Sequence, residues 1–342
     1  MIVSTTINLK APYLIFIGDC NEALFAKTGF GLVDWCPDKV LGQHSFDDND
    51  LSLGVAELSL EEAVARGAKS LVIGVAPVGG DVGSKWKQTL RKAAELGMDV
   101  VSGLHFKLQD IEEIAKAANT SGAALINVRT PPPELPIGNG EKRTGNRVLM
   151  VGTDCAVGKK YTALALTRDM QHQNLHAEFR ATGQTGIMIA GSGIAVDAVV
   201  ADFIAGAAEL VSPANEKNHW DIIEGQGSLF NPAYAGVSLG LLHGSQASAL
   251  VLCHDVMRES ISSVGAYSMP GLQECIDLNL QCARLTSPDV YCAGVSVNTS
   301  GLAENQRQNY LDKLNQELNL PCIDPIFSGC KPIVENLLAN RS

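Results

Sequence analysis

The fold of the second half of the chain is indicated by the residues Val148-Leu-Met-Val-Gly-Thr-Asp-Cys-Ala-Val-Gly-Lys-Lys-Tyr-Thr162. An apolar run ends at Gly152, a loop returns at Gly158-Lys159, and a helical pattern follows. Glycines let backbone N–H groups approach phosphate oxygens, and a helix N-terminus and Lys159 add positive charge. We therefore predict a phosphate-binding loop. The predicted cofactor-binding residues are Gly152, Thr153, Asp154, Cys155, Ala156, Val157, Gly158, Lys159, Lys160 and Tyr161.

This loop departs from the usual signature in two ways. Five residues separate its glycines instead of four, and Lys160 stands where Ser or Thr is usual. In nucleoside triphosphatases that hydroxyl ligates Mg²⁺, whereas an ammonium group would repel the metal and neutralise a phosphate. We therefore expect the loop to bind a diphosphate without a metal, as coenzyme A would require. Thr162 remains an alternative source of the hydroxyl.

The rest of the chain shows alternating strand and helix patterns, which predict α/β architecture with parallel sheets. Strands expected near residues 13–17, 71–75, 100–101 and 124–128 alternate with helices at 22–28, 59–66, 85–96 and 111–119. Residues 1–130 are thus predicted to form a Rossmann-like domain. The Pro- and Gly-rich segment 131–146 is the predicted linker. Residues 147–342 are predicted to form a P-loop NTPase-like α/β domain with six strands.

Composition limits the classes of partner. The 342 residues include 26 Lys and Arg against 37 Asp and Glu, a net charge of −11, which argues against a broad nucleic-acid or anionic-membrane surface. The nine cysteines show no C-x-x-C spacing, so neither a disulfide framework nor a zinc site is expected. We expect a cytoplasmic protein that acts on a small molecule, with no nucleic-acid partner, no membrane span and no metal.

Two further segments extend the likeness of the loop. The loop itself resembles that of the dethiobiotin synthetase branch of phosphate-loop proteins. The segment Asp221-Ile-Ile-Glu-Gly-Gln-Gly-Ser228 is similar to the acidic segment that helps that branch to hold Mg²⁺. The segment Gly294-Val-Ser-Val-Asn298 resembles the strand whose Asn contacts adenine. This resemblance implies that Asn298 binds the cofactor.

Over nearly its whole length the chain resembles one family of two-domain proteins. The matching segments are the loop, Arg180-Ala-Thr-Gly-Gln-Thr-Gly-Ile-Met-Ile-Ala-Gly191, Asp197 with Asp202-Phe203, and Glu224-Gly-Gln-Gly-Ser228. The best-defined members of this family are bacterial D-glutamate N-acetyltransferases, which use acetyl-CoA and work with a partner epimerase in D-glutamate breakdown. The resemblance implies an acyltransferase that moves an acetyl group from acetyl-CoA to an acidic amino acid, D-glutamate, in D-amino-acid catabolism.

Candidate catalytic residues follow from the needs of acyl transfer to an amine. Glu224 is the candidate general base because it ends a core strand beside the loop. A vestigial metal ligand or a loop-bracing acid is the alternative role for it. Asp197 is a further catalytic candidate, whereas Asp202 is expected to be structural. Arg180 is the leading candidate for binding a substrate carboxylate and is counted among the catalytic residues.

The predicted substrate-binding residues are Arg180, Gln184, Arg258, Gly79 and Gly80. Either arginine could instead be a surface ion-pair partner. The two glycines lie in a turn after the strand at 71–75 that resembles an anion-binding turn, and ordinary turn chemistry is the alternative.

The same residues are compatible with other functions. The chain could be an ATP- and Mg²⁺-dependent kinase or ligase of the dethiobiotin synthetase type, or a nucleotide-sensing regulator without chemistry. A helix predicted at residues 195–210 is apolar around most of its circumference and is therefore expected to be buried. A subunit interface could bury it, so we expect a homo-oligomer.

Overall fold

The structure is a computed structural model that describes residues 6–23, 25–76, 83–262, 265 and 267–341. The chain divides into two compact units. The first contains Thr6–Thr130 together with Gln184–Ala195, and the second contains Pro131–Gly183 and the residues from Val196 onwards. The second unit therefore includes the predicted linker 131–146. Residues Gln184–Ala195 lie within the predicted domain 147–342, but they belong to the first unit.

The first unit is built on a five-stranded parallel sheet in the order β2-β1-β3-β4-β5. Its strands are β1 (Tyr13–Gly18), β2 (Val40–Ser45), β3 (Ser70–Ile73), β4 (Asp99–Ser102) and β5 (Leu125–Asn127). Its helices are α1 (Lys27–Trp35), α2 (Leu60–Ala65), α3 (Ser84–Glu95), α4 (Glu112–Ser121) and, from the later segment, α6 (Gln184–Ala190). Strands β1, β3 and β4 are completely buried, as their apolar sequences predict.

Three elements of this unit differ from the sequence prediction, and one of them is helix α6, which was not predicted. The helix expected at 22–28 is wrong, because α1 begins at Lys27 and the preceding residues form single turns, such as Phe25 N–H to the oxygen of Glu22. Strand β2 was not predicted. It lies at the sheet edge with only two of its six residues buried, so it lacks a continuous apolar run.

The second unit contains a parallel sheet in the order β11-β10-β9-β6-β8-β7. Its six strands agree in number with the sequence prediction. Its strands are β6 (Asn146–Gly152), β7 (Ala177–Arg180), β8 (Trp220–Ile223), β9 (Ala249–Asp255), β10 (Tyr291–Asn298) and β11 (Cys322–Ile323). Its helices are α5 (Lys159–His172), α7 (Ile204–Val211), α8 (Ala235–Ser245), α9 (Leu272–Ala283), α10 (Glu304–Leu318) and α11 (Lys331–Ala339).

The single helix predicted at 195–210 is wrong. The structure has two 3₁₀ turns, Val196–Ala198 and Ala201–Phe203, followed by the shorter helix α7. The backbone N–H of Val196 bonds to the oxygen of Thr182, which ties the start of this segment to the end of β7. Helix α7 packs against α8, so its apolar residues are buried inside their own unit.

The parallel sheet of the second unit brings the carboxyl ends of all six strands to one edge. The loops that follow β6, β7, β8, β9 and β10 therefore lie near one another, and they carry most of the predicted site. All nine cysteines are free thiols. Within the described ranges, the helices are too short or too polar for any of them to cross a bilayer.

Candidate functional site

The predicted phosphate loop joins β6 to α5. Gly158 has a φ of 101°, in the left-handed region that favours glycine, and it lets the loop turn into α5 at Lys159. The Lys159 side chain is buried, and its Nζ donates a hydrogen bond of 2.7 Å to the backbone oxygen of Asp154. Burial lowers the pKa of Lys159, although neighbouring acidic groups, Asp154 and Glu224 among them, oppose the shift.

Asp154 fixes this loop to two others. Its Oδ1 accepts a hydrogen bond of 3.0 Å from Asn231 Nδ2, and its Oδ2 accepts one of 2.7 Å from the backbone N–H of Ser262. Arg258 Nη1 lies 3.6 Å from the same Oδ2. Burial raises the pKa of Asp154, but the hydrogen bonds outweigh it and the net pKa is lowered. Asp154 is therefore a buried carboxylate that positions the loop.

The hydroxyl of Thr162 faces the interior of the unit. Thr162 is 1% exposed, and its Oγ1 donates to the oxygen of Gly158 at 3.1 Å and lies 2.8 Å from Ser296 Oγ. This position argues against Thr162 as a substitute for the usual metal-binding hydroxyl. Lys160 occupies the usual hydroxyl position, with its Nζ 5.1 Å from the centre of the Tyr161 ring.

Glu224 follows β8 and is held by the residues that follow β7. Its Oε2 accepts hydrogen bonds of 3.0 Å from the backbone N–H groups of both Thr182 and Gly183. The Thr182 hydroxyl donates to the backbone oxygen of Glu224 at 2.6 Å. The next residue must be Gly225, because a Cβ there would collide with the backbone oxygen of Met150. These contacts hold the carboxylate in one orientation.

The electrostatics of Glu224 suit a proton acceptor. The residue is 4% exposed, and burial raises its pKa to about 7. The two backbone N–H groups and the charge of Lys160 oppose this rise, whereas the charge of Asp197 adds to it. Within the described part of the chain, Oε1 accepts no hydrogen bond. A carboxylate with a pKa near neutral pH and one uncommitted oxygen can act as a general base.

Arg180 does not join Glu224. Arg180 is the register partner of Ile223 in the β7–β8 pair, so these two side chains lie on the same face of the sheet. Because side chains alternate between faces along a strand, Glu224, which follows Ile223, lies on the opposite face. Its Nε donates to Asp221 Oδ1 at 2.7 Å, and its Nη1 donates to Glu178 Oε1 at 2.9 Å. The guanidinium thus belongs to an ion-pair cluster, which was the alternative role for this residue.

The other predicted residues are distributed over both units. Asp197 is exposed and close enough to Glu224 to influence its charge. Gln184 belongs to the first unit, where its Oε1 accepts a hydrogen bond of 2.9 Å from Arg129 Nη1. Gly79 and Gly80 lie outside the described residues.

Asn298 and Arg258 lie at the same sheet edge as the loop. Asn298 Nδ2 donates to Asp255 Oδ2 at 3.0 Å, which joins the carboxyl ends of β10 and β9. Beside the loop, Thr153 Oγ1 lies 3.1 Å from Nδ1 of His254, and burial lowers the pKa of this histidine. Arg258 follows β9, and its Nη1 lies 3.6 Å from Asp154 Oδ2.

Sequence reasoning missed the residues that hold the two acids. Thr182 and Gly183 were given no role of their own within the matching segment 180–191, and they prove to be the hydrogen-bond donors to Glu224. Asn231 and Ser262 hold Asp154 from 77 and 108 residues further along the chain. Nothing in the local sequence signals these pairings.

The two parallel sheets, together with the phosphate loop at the carboxyl edge of the second sheet, define a two-domain α/β protein with a Rossmann-like domain and a P-loop domain. Residues 136–334 match the family model "Domain of unknown function (DUF1611_C) P-loop domain", and residues 43–131 match "Domain of unknown function (DUF1611_N) Rossmann-like domain". The chain belongs to this DUF1611 family, and the fold class predicted from the sequence is confirmed.

Full-length relatives give the family a more specific identity. A "D-glutamate N-acetyltransferase" of Pseudoalteromonas sp is 46% identical over 96% of this chain and 99% of its own length. A protein of the same name from Tritonibacter scottomollicae is 46% identical over 97% of this chain and 99% of its own length. The crystal structure of a DUF1611 family protein from Anabaena variabilis has a TM-score of 0.89 and 31% identity, covering 97% of this chain and all of that one. The family resemblance predicted from the sequence is thus confirmed.

Proposed function

We propose that this chain is an N-acetyltransferase that transfers the acetyl group of acetyl-CoA to the amino group of D-glutamate in D-amino-acid catabolism. The observation that carries the proposal is the 46% identity, over nearly the full length of both chains, to two proteins named D-glutamate N-acetyltransferase. The choice of donor rests on the chemistry of the loop. Lys160 stands in the metal-ligand position and Thr162 points into the core, which suits a diphosphate that is bound but never cleaved.

In this proposal Glu224 is the general base. The neutral amine of D-glutamate attacks the thioester carbonyl carbon, a C–N bond forms, and the C–S bond breaks. The nitrogen loses one proton to Oε1 of Glu224, and that proton then passes to the departing thiolate. The products are N-acetyl-D-glutamate and coenzyme A with a free thiol. A pKa of about 7 lets Glu224 take the proton and release it within one turnover.

The backbone donors of Thr182 and Gly183 have a defined task in this scheme. They satisfy Oε2, so the lone pairs of Oε1 are left for the substrate amine. Lys159 and Lys160 supply the positive charge that a diphosphate requires at the start of α5. The substrate-binding roles predicted for Gln184, Gly79 and Gly80 stay predictions. A homo-oligomer and a partner epimerase remain part of the proposal.

The proposal is tested by following thiol release from acetyl-CoA against a panel of D- and L-amino acids. We expect release that depends on D-glutamate and is much slower with L-glutamate. Hydrolysis of Mg²⁺-ATP by a protein that ignores acetyl-CoA would favour a kinase or ligase. Tight binding of a nucleotide without turnover of any acceptor would favour a regulator.

A further inference from the structure

Arg258 is a cation beside the phosphate loop, and its guanidinium lies 3.6 Å from Asp154 Oδ2. It lies three residues beyond the end of β9, and its side chain is 22% exposed. Its ion pair is the 3.6 Å contact with Asp154, whose two oxygens already accept bonds from Asn231 and Ser262. Among the residues that the structure describes, the guanidinium donates no hydrogen bond. A planar group with five N–H donors is therefore available to a ligand at this edge.

The strand order places this cation between two predicted parts of the cofactor site. Strand β9 lies between β6, which ends in the phosphate loop, and β10, which ends in Asn298. Two strand spacings separate β6 from β10, roughly 10 Å. In coenzyme A the ribose joins the diphosphate to the adenine, and its third phosphate is attached to that ribose. A diphosphate on the loop with adenine at Asn298 would bring the ribose phosphate over the end of β9.

The space around Arg258 suits such a group. A cavity of about 670 Å³ is lined by the segment after β9, including Arg258, Ser260 and Ser262. Two acids, Asp255 and Glu259, also line the cavity. Asp255 already accepts hydrogen bonds from Asn298 Nδ2 and from the backbone N–H of Met257, and Glu259 is exposed. Burial lowers the pKa of the neighbouring His254, and among the described residues that line this cavity Arg258 supplies the positive charge.

We propose that Arg258 binds the ribose 3′-phosphate of coenzyme A and thereby selects acetyl-CoA over donors that lack this phosphate. Guanidinium and phosphate form charge-assisted, bidentate hydrogen bonds, which gives this contact both strength and direction. The assignment replaces the carboxylate-binding role predicted for Arg258 from the sequence. It rests on the proposed function, since it presumes that acetyl-CoA is the donor.

The test compares acetyl-CoA with acetyl-dephospho-CoA as donors, for the wild type and for Arg258→Gln, with D-glutamate saturating. We expect the wild type to prefer acetyl-CoA in kcat/KM by about 10- to 100-fold, the range expected for a hydrogen-bonded charge pair. Arg258→Gln should bring this ratio close to one by raising the KM for acetyl-CoA, with little change for acetyl-dephospho-CoA. Arg258→Lys should keep part of the preference. The matched control is Arg284→Gln, which removes an exposed arginine after α9 and should leave the ratio unchanged.

Several results would overturn the inference. Equal use of both donors by the wild type, or an unchanged ratio in Arg258→Gln, would do so. A large rise in the KM for D-glutamate would restore the carboxylate role instead. Titration of each variant with coenzyme A and dephospho-CoA by calorimetry tests the same contact without turnover, and thermal melts show whether the variants fold. A wild type that transfers no acetyl group from either donor would refute the proposed function, whereas the calorimetric comparison would still decide the role of Arg258.

Discussion

Oε2 of Glu224 lies 3.0 Å from the backbone nitrogen of Thr182, a bond that joins the ends of two adjacent strands across 42 residues of sequence. The donor is a backbone N–H, so substitution of the Thr182 side chain does not remove the hydrogen bond that orients the Glu224 carboxylate. It leaves the other carboxylate oxygen for chemistry.

Removal of the charge of Glu224 should abolish most of the activity. The amide oxygen of Gln can still accept from Thr182 and Gly183, so Glu224→Gln keeps the fold but lacks the base. We expect kcat to fall by about 10²- to 10⁴-fold, with the KM for acetyl-CoA nearly unchanged. Steady-state kinetics measure both values. Glu335→Gln, which removes an exposed acid on α11, is the matched control and should behave as the wild type.

The activity should depend on pH through Glu224. Because the base works in its ionised form, kcat/KM should rise with pH through about 7, the raised pKa of this group. Asp197 carries a negative charge that raises this pKa, so Asp197→Asn should shift the rising limb to lower pH. Rate profiles between pH 5 and 9 test the shift, and a limb that stays in place would mean that Asp197 does not act on Glu224.

The same group should make stability depend on pH. A carboxyl group with a raised pKa binds more protons in the folded state, so its contribution is complete below the unfolded pKa of 4.5 and is lost as the pH rises through about 7. Gln mimics the protonated acid. Glu224→Gln should therefore resist urea better than the wild type at pH 8, by up to a few kcal/mol in the free energy of unfolding, and the two should converge near pH 4. A difference that does not change with pH would contradict the raised pKa.

Loss of the Asp154 carboxylate should loosen the phosphate loop. Asp154→Ala leaves the half-buried Ser262 N–H without its acceptor, and it leaves the buried Asn231 Nδ2 with a longer bond of 3.3 Å to the backbone oxygen of Ser262. We expect a loss of about 2–4 kcal/mol in the free energy of unfolding and a higher KM for acetyl-CoA. Urea unfolding and donor titrations measure these changes. Asp289→Ala, which removes an exposed acid, should change neither value.

Lys160 distinguishes a diphosphate site from a triphosphatase. Lys160→Thr restores a hydroxyl after Gly-Lys but removes a cation, so the KM for acetyl-CoA should rise by about tenfold, equivalent to roughly 1.4 kcal/mol. No Mg²⁺-dependent ATPase should appear. Lys217→Thr, at an exposed position, is the control. An unchanged KM, or ATP hydrolysis by the wild type, would contradict the proposed role of the loop.

The sequence predicted what is local. The phosphate loop depends on residues within one strand, one turn and one helix, so the spacing of Gly152, Gly158 and Lys159 was enough to place it. The orientation of Arg180 depends on its register with Ile223, which no single segment encodes. The bonds of Asp154 join segments that are far apart in the chain, and only the folded sheet brings them together. Helix α6 was missed because Gly-Gln-Thr-Gly has the composition of a turn.

The role of Glu224 as the base of an acetyltransferase is tested by identifying the product that the wild type and Glu224→Gln form from acetyl-CoA and D-glutamate at pH 8. Mass spectrometry should show N-acetyl-D-glutamate in equal amount to the released coenzyme A for the wild type, and at most a hundredth of it for the variant in the same time. Equal product from both proteins would contradict the role of Glu224, and no acetylated product from the wild type would contradict the proposed function.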